Sequence, residues 1–217
     1  MTAVVSVFSA SPDGGRGLAR DMAVRWALIE AGVAHDLRTL SFAELKTQAH
    51  KARQPFGQIP TYEADGLTLF ESGAIVLHIA ETHGLLPQDY AARARAIVWM
   101  FAAVSTLEPV IVEREVAVLL ECDRPWTPER LPLIAARLRA RLADLADALG
   151  DRPWLEAGFS AADIMMVCAL RRPAAVLLLP EFPAVAAYVA RAEARPAFMQ
   201  AFADQKARWQ ADQARRA

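Results

Sequence analysis

Cysteine is nearly missing from this chain: of 217 residues only Cys122 and Cys168 carry a thiol. Two cysteines are too few for a disulfide framework, and they fit a reducing compartment. No Cys-x-x-Cys or His-x-x-x-His spacing occurs, so neither a metal site nor a dithiol redox pair is expected. An excess of charge is absent too. The 24 Lys+Arg against 25 Asp+Glu leave a net charge of −1, which gives no electrostatic reason for nucleic acid or an anionic membrane as partner. Lysine is confined to Lys46, Lys51 and Lys206, so the cations are almost all arginine. Long apolar runs are lacking as well: the longest, Ala96 to Val104, falls short of the ~18 residues of a membrane span. The start, Met1 to Phe8, has no basic leader region and reads as a strand. Together these absences predict a cytoplasmic protein. What is present, 54% hydrophobic and 23% charged residues, excludes disorder and allows one large or two small domains.

The pattern changes near residue 85. Val4 to Phe8 is a short apolar run suited to a buried strand. A loop rich in Ser, Pro and Gly breaks it, and helical spacing then runs from Leu18 to Ala31, with Asp21 and Arg25 paired at i,i+4 and Gly32 as the stop. His35 to Leu40 is a second strand. Ser41 and Glu44 form a capping box with Leu40 and Leu45 at staple positions, so a helix is expected there. Ile59 to Ala64 and Leu67 to Phe70 are strands joined by the hairpin signal Asp65-Gly66. Ser72 then caps a helix that Gly84 ends. The order β-α-β-α-β-β-α predicts a four-stranded sheet with helices on both faces. Residues 85–90 read as a linker. Beyond it lie a long helix kinked at Pro109, a helix from Thr127 to Gly150, a capping box at Ser160 and Asp163, and helices from Pro183 and Pro196.

In this order and spacing, the N-terminal pattern, Gly57-Gln58-Ile59-Pro60, Glu71-Ser72-Gly73-Ala74-Ile75, the helical second half and Gly158-Phe159-Ser160-Ala161-Ala162-Asp163 resemble a cytosolic glutathione transferase. The resemblance covers essentially the whole chain and suggests a bacterial, serine-type member. It implies an α/β thioredoxin-like domain over residues 1–84 that binds glutathione, the linker 85–90, and an all-helical domain over residues 91–217 that supplies an electrophile pocket. It also implies a homodimer.

The resemblance implies a cis bond between Ile59 and Pro60 that turns the Ile59 backbone outward to pair with glutathione. Gln58 then helps hold the glycyl end. Glu71 and Ser72 sit where a strand gives way to a helix, a suitable place for an α-amino acid head group. Helix N–H groups and the Ser72 hydroxyl hold its carboxylate, and Glu71 takes its ammonium. A thiol with a pKa near ~8.5 needs a donor to form thiolate at neutral pH. The family places that donor after the first strand, where this chain offers Ser11 and Ser9, Ser11 being preferred because it stands nearer the first helix. With no cysteine there, and a serine too weak a nucleophile towards a disulfide, thiol-disulfide reductase activity is disfavoured. The function implied is conjugation of glutathione to a small hydrophobic electrophile, with Trp99, Phe101 and Val104 available beside it. The alternatives are a non-catalytic binding or regulatory module and a glutathione-dependent isomerase. No metal is expected.

Overall fold

The structure is a computed structural model that describes residues 2–216; Met1 and Ala217, the ends of the two expected domains, lie outside it. The chain forms two compact units. One holds the residues up to Leu85 together with those from Ala194 onward, and the other is Leu86–Glu193.

In the first unit, β1 (Ala3–Phe8), α1 (Asp21–Glu30), β2 (His35–Leu40), α2 (Gln48–Lys51), β3 (Thr61–Ala64), β4 (Leu67–Phe70) and α3 (Ser72–His83) follow in order. The sheet order is β2-β1-β3-β4, with β1 and β2 parallel and the other pairs antiparallel. This is the thioredoxin-like arrangement. Asp65 and Gly66 both take positive φ, 49° and 81°, as the tight hairpin turn requires. The helix expected from Ser41 does not run on. Its box closes, with Ser41 N–H donating to Glu44 Oε2 (2.7 Å) and Glu44 N–H to Ser41 Oγ (3.3 Å). Thr47, however, turns extended (ψ 153°) after a single 3-10 turn and caps the one-turn α2 itself. Helix α1 starts at Asp21 and not at Leu18, because the Leu18 N–H is taken by the Asp13 carboxylate at 2.6 Å.

Helix α1 is buried nearly all round, packing on β1, α3 and the final helix. That final helix, α10 (Pro196–Arg216), is where packing departs from the sequence reading, which put it with the helical half. Phe198 meets Trp26 edge-on at 5.0 Å, and the Arg195 guanidinium forks onto Glu30. Gly15 is needed beside it, since a Cβ there would lie 2.9 Å from the Trp209 side chain.

Between α1 and α10 lies a buried charge cluster. Asp21 and Arg25 stand 3.9 Å apart. Burial above all, with a smaller push from Asp13, raises the Asp21 carboxyl from 3.8 to about 6 against the pull of Arg25, its own backbone N–H and Arg208. The unfolded chain therefore releases this proton first. Stability is expected to fall by roughly 3 kcal/mol as pH rises through the window from about 4 to 6, and to level off above it. Chemical denaturation of the wild type and Asp21→Asn across that window checks this: the variant lacks the slope, and parallel curves contradict it.

The second unit comprises α4 (Tyr90–Ala102), a π-helical stretch (Ala103–Leu107), α5 (Glu108–Leu119), α6 (Thr127–Leu149), α7 (Ala161–Leu170), the short α8 (Pro173–Val176) and α9 (Pro183–Glu193). The expected kink at Pro109 takes the form of this π stretch, which absorbs the hydrogen bond that a proline nitrogen cannot make. Tyr90–Leu119 as a whole is long and apolar enough, by length and composition, to cross a membrane. In this unit it packs on α6 and α7. Helix α7 is the core, with its Ser160 N-cap and Asp163 closing the expected box.

Candidate functional site

Three chain segments meet at one end of the sheet because of strand register. Val5 pairs with Tyr62 and Val4 with Glu63, so the entry to β3 lies beside the end of β1. The Ser6 hydroxyl pins this corner, accepting from Thr61 N–H (2.6 Å) and Thr61 Oγ1 (2.9 Å). Thr61 in turn pairs with Phe70, so the exit of β4 and the start of α3 arrive at the same end. Ser9, Ile59-Pro60 and Glu71-Ser72 therefore share one edge.

The segment before β3 is held from below. His50 is buried and its Nε2 donates to the Gln58 carbonyl at 2.7 Å. Buried Gln54 accepts from the Gln58 N–H through its Oε1 at 3.2 Å. Gly57 has φ 64°, and a Cβ there would meet the Leu45 carbonyl at 2.7 Å. The Gln58 side chain is left exposed. The Ile59-Pro60 bond is cis. Among the described residues none bonds to the Ile59 N–H or carbonyl. His50 and Gln54 thus both position this strand entry.

At the start of α3 the sequence expectation is corrected by one residue. Ser72 is not the N-cap; Glu71 is, and its side chain makes no capping bond. Ser72 is the first helical residue, 3% exposed, with a hydroxyl that bonds to none of the described residues. The N–H groups of the first turn have no intrahelical acceptor. Glu71 holds φ 68° and ψ 113°, a conformation costly for a non-glycine residue and concentrated at ligand clamps. Its carboxylate is exposed beside the helix N-terminus. A carboxylate acceptor, amide and hydroxyl donors and a positive helix end fit one ligand group, an α-amino acid zwitterion.

The two serines differ sharply. Ser11 is buried, and its only hydroxyl proton goes to Asp13 Oδ1 at 2.6 Å. Asp13 also accepts from the Gly15 N–H (2.9 Å) and the Leu18 N–H (2.6 Å), while its carbonyl accepts from Arg16 Nε (2.7 Å). Sequence reading missed this hub; the signal was the turn grammar of Ser-Pro-Asp-Gly-Gly. Ser9, directly after β1, is half-buried; its N–H donates to the Leu40 carbonyl at 2.9 Å and its hydroxyl bonds to none of the described residues. Among the described residues no group of three or more His, Cys, Asp or Glu could hold a metal. In the helical unit Trp99 lines a cavity of about 100 Å³ with Leu107, Leu145 and Met166, and Phe101 is exposed.

Residues 14–81 match the family model for the glutathione S-transferase N-terminal domain. The match takes in Gln58 to Pro60 and Glu71-Ser72 but begins after both serines. Glutathione S-transferase 4 of Zea mays is 35% identical over 105 residues, 44% of this chain and 44% of that protein. The disulfide-bond oxidoreductase YfcG of Escherichia coli is 33% identical over 150 residues, 64% of this chain and 66% of that one. The chain thus spans less than half the length of such transferases in alignment. A glutathione transferase family member from Pseudomonas fluorescens, solved with two glutathione bound, superposes with a TM-score of 0.81 at 24% identity, over 93% of this chain and 92% of that one. The fold is the glutathione transferase fold.

Proposed function

From a glutathione S-transferase N-terminal domain at residues 14–81, set in the glutathione transferase fold, we propose that this protein is an enzyme that binds reduced glutathione and transfers its thiolate to a small hydrophobic electrophile. The observation that carries the reading is Ser72, a residue only 3% exposed at the N-terminus of α3 whose hydroxyl bonds to none of the described residues. Ser72 and the first-turn N–H groups take the γ-glutamyl carboxylate, and Glu71 takes its ammonium. The unbonded Ile59 N–H and carbonyl pair with the cysteinyl backbone, and exposed Gln58 reaches the glycyl end.

The geometry supports Ser9 ahead of Ser11 as the donor that stabilises the thiolate. The Ser11 proton is spent on a carboxylate, and a carboxylate beside a thiolate would oppose its ionisation. Ser9 has a free proton at the right end of β1. A hydrogen bond to a charged group is worth about 1.5–3 kcal/mol, so Ser9→Ala is expected to move the rising limb of the pH–rate profile up by about 1–2 units. Ser11→Ala is expected to leave that limb in place. The opposite pattern would return the role to Ser11.

The longest of these curated matches, to a protein named a disulfide-bond oxidoreductase, favours a second reading. With no cysteine after β1 a mixed disulfide at that position is not available, yet bound glutathione can attack a small disulfide itself. Two glutathione molecules would then reduce one disulfide to two thiols and leave as glutathione disulfide. Mass analysis of products separates the readings: a thioether with loss of halide from an aryl halide supports transfer, and glutathione disulfide formed from a small disulfide supports reduction. A second copy of the chain is proposed to cover the exposed Val98 and Phe101 of α4.

A further inference from the structure

The two peptide groups ahead of Ile59 have four polar ends, and side chains from one short stretch of chain take three of them. Gln54 Oε1 accepts from the Gln58 N–H at 3.2 Å, and Lys46 Nζ donates to the Gly57 carbonyl at 3.3 Å. Both ends of the first peptide are thereby held. In the second, His50 Nε2 donates to the Gln58 carbonyl at 2.7 Å. The fourth end is the Ile59 N–H, which bonds to none of the described residues.

His50 is fixed before it meets this carbonyl. It is 3% exposed and belongs to the one-turn α2, whose Thr47 cap accepts from the His50 backbone N–H at 3.3 Å. The Gln58-Ile59 peptide is trans, the cis bond being the next one along, so its carbonyl and its N–H point in opposite directions. Holding the carbonyl against the ring therefore turns the Ile59 N–H the other way. A peptide turned over by half a revolution would set that N–H against His50 and offer a ligand a carbonyl in its place. The bond from His50 also polarises the peptide, which strengthens the N–H as a donor.

We propose that His50 is a positioning residue for glutathione: it fixes the plane of the Gln58-Ile59 peptide and so aims the Ile59 N–H at the cysteinyl carbonyl of the ligand. The proposal rests on the glutathione reading and adds to it a side chain that acts through the backbone and not by contact. Gln54 and Lys46 hold the preceding peptide, so among these three side chains His50 alone bears on this plane.

Calorimetric titration with reduced glutathione tests it on the full chain as wild type, His50→Leu and His50→Gln. Leucine fills the space without a donor, whereas glutamine brings an amide N–H close to the place of Nε2. His50→Leu is expected to bind at least ~10-fold more weakly, and His50→Gln within ~3-fold of the wild type. At saturating glutathione, with an aryl halide as acceptor, the rising limb of the pH–rate profile is expected to stay in place in both variants. The thiolate donor after β1 is untouched in each. The wild type alone gives a second check, since nitrogen NMR of the labelled ring is expected to find a proton on His50 Nε2. Undiminished binding in His50→Leu, binding as weak in His50→Gln as in His50→Leu, a shifted limb, or a ring proton confined to Nδ1 would each overturn the proposal and leave the glutathione reading standing. No binding to the wild type would remove that reading, and the proposal with it.

Discussion

Ser72→Ala is expected to raise the dissociation constant for reduced glutathione about 10- to 100-fold while leaving thermal stability where it is. The two halves of this expectation rest on the same fact: the Ser72 hydroxyl is nearly buried and bonds to none of the described residues. Removing it takes nothing from the fold, and alanine is the better helix former at that position. In the complex the same hydroxyl donates to a carboxylate, a charge-assisted bond worth about 1.5–3 kcal/mol, which sets the 10- to 100-fold loss. The helix N-terminus still attracts the carboxylate, so binding is weakened and not abolished. Titration of the wild type and the variant, with melting curves of both, measures the two halves together. An unchanged dissociation constant would remove Ser72 from the site; a large drop in melting temperature would make it structural.

Asp163→Ala should produce the largest loss of stability of any substitution considered. As a capping-box residue alone, Asp163 would be worth roughly 0.5–2 kcal/mol. The carboxylate does more than close the box. Its Oδ2 accepts from the Ser160 N–H at 2.8 Å, and its Oδ1 accepts from the Leu155 N–H at 3.0 Å and the Tyr188 hydroxyl at 3.0 Å. Leu155, Ser160, Asp163 and Tyr188 are all at most 1% exposed. Truncation leaves three buried donors with no acceptor, and each carries its own desolvation cost. A loss of about 4 kcal/mol follows, lowering the melting temperature by roughly 8–16 °C for a chain of this size. Burial above all holds the Asp163 carboxyl above its ordinary range despite these bonds, so Asp163→Asn should cost less than Asp163→Ala. A loss below 2 kcal/mol in Asp163→Ala, read by urea unfolding, would mean that solvent reaches the network once the carboxylate is gone.

The strands and most helix ends could be read from sequence because single residues dictate them. Asp65-Gly66 forces a turn, and Gly32 and Gly84 adopt the positive φ that ends a helix. Ser160 and Asp163 announce a helix start with complementary side chains. The 41–44 box was equally visible and equally formed, yet Thr47 stops the helix, because a cap fixes where a helix starts and says nothing about how far it runs. Ser72 could be placed at the right helix but not at the right turn position. That difference of one residue decides whether its hydroxyl serves the backbone or a ligand.

Less local features were harder to read. Asp13 looks like any turn residue; only folding brings the Ser11 hydroxyl and the Gly15 and Leu18 N–H groups onto one carboxylate, and that convergence shifts the thiolate role towards Ser9. The pattern of α10 shows an amphipathic helix, but not that Phe198, Phe202 and Trp209 turn its apolar face to α1 and the glycine loop. Ile59-Pro60 and Glu71-Ser72 were legible as a pair of short motifs. Their meeting at one sheet end depends on the register of three strands.

Calorimetric titration of the purified protein with reduced glutathione tests the central claim most directly. Saturable binding at a single class of site, lost or strongly weakened in Ser72→Ala, is the predicted result. No binding at millimolar glutathione would contradict the proposed activity while leaving the fold untouched, and would make this chain a non-catalytic module built on a transferase scaffold.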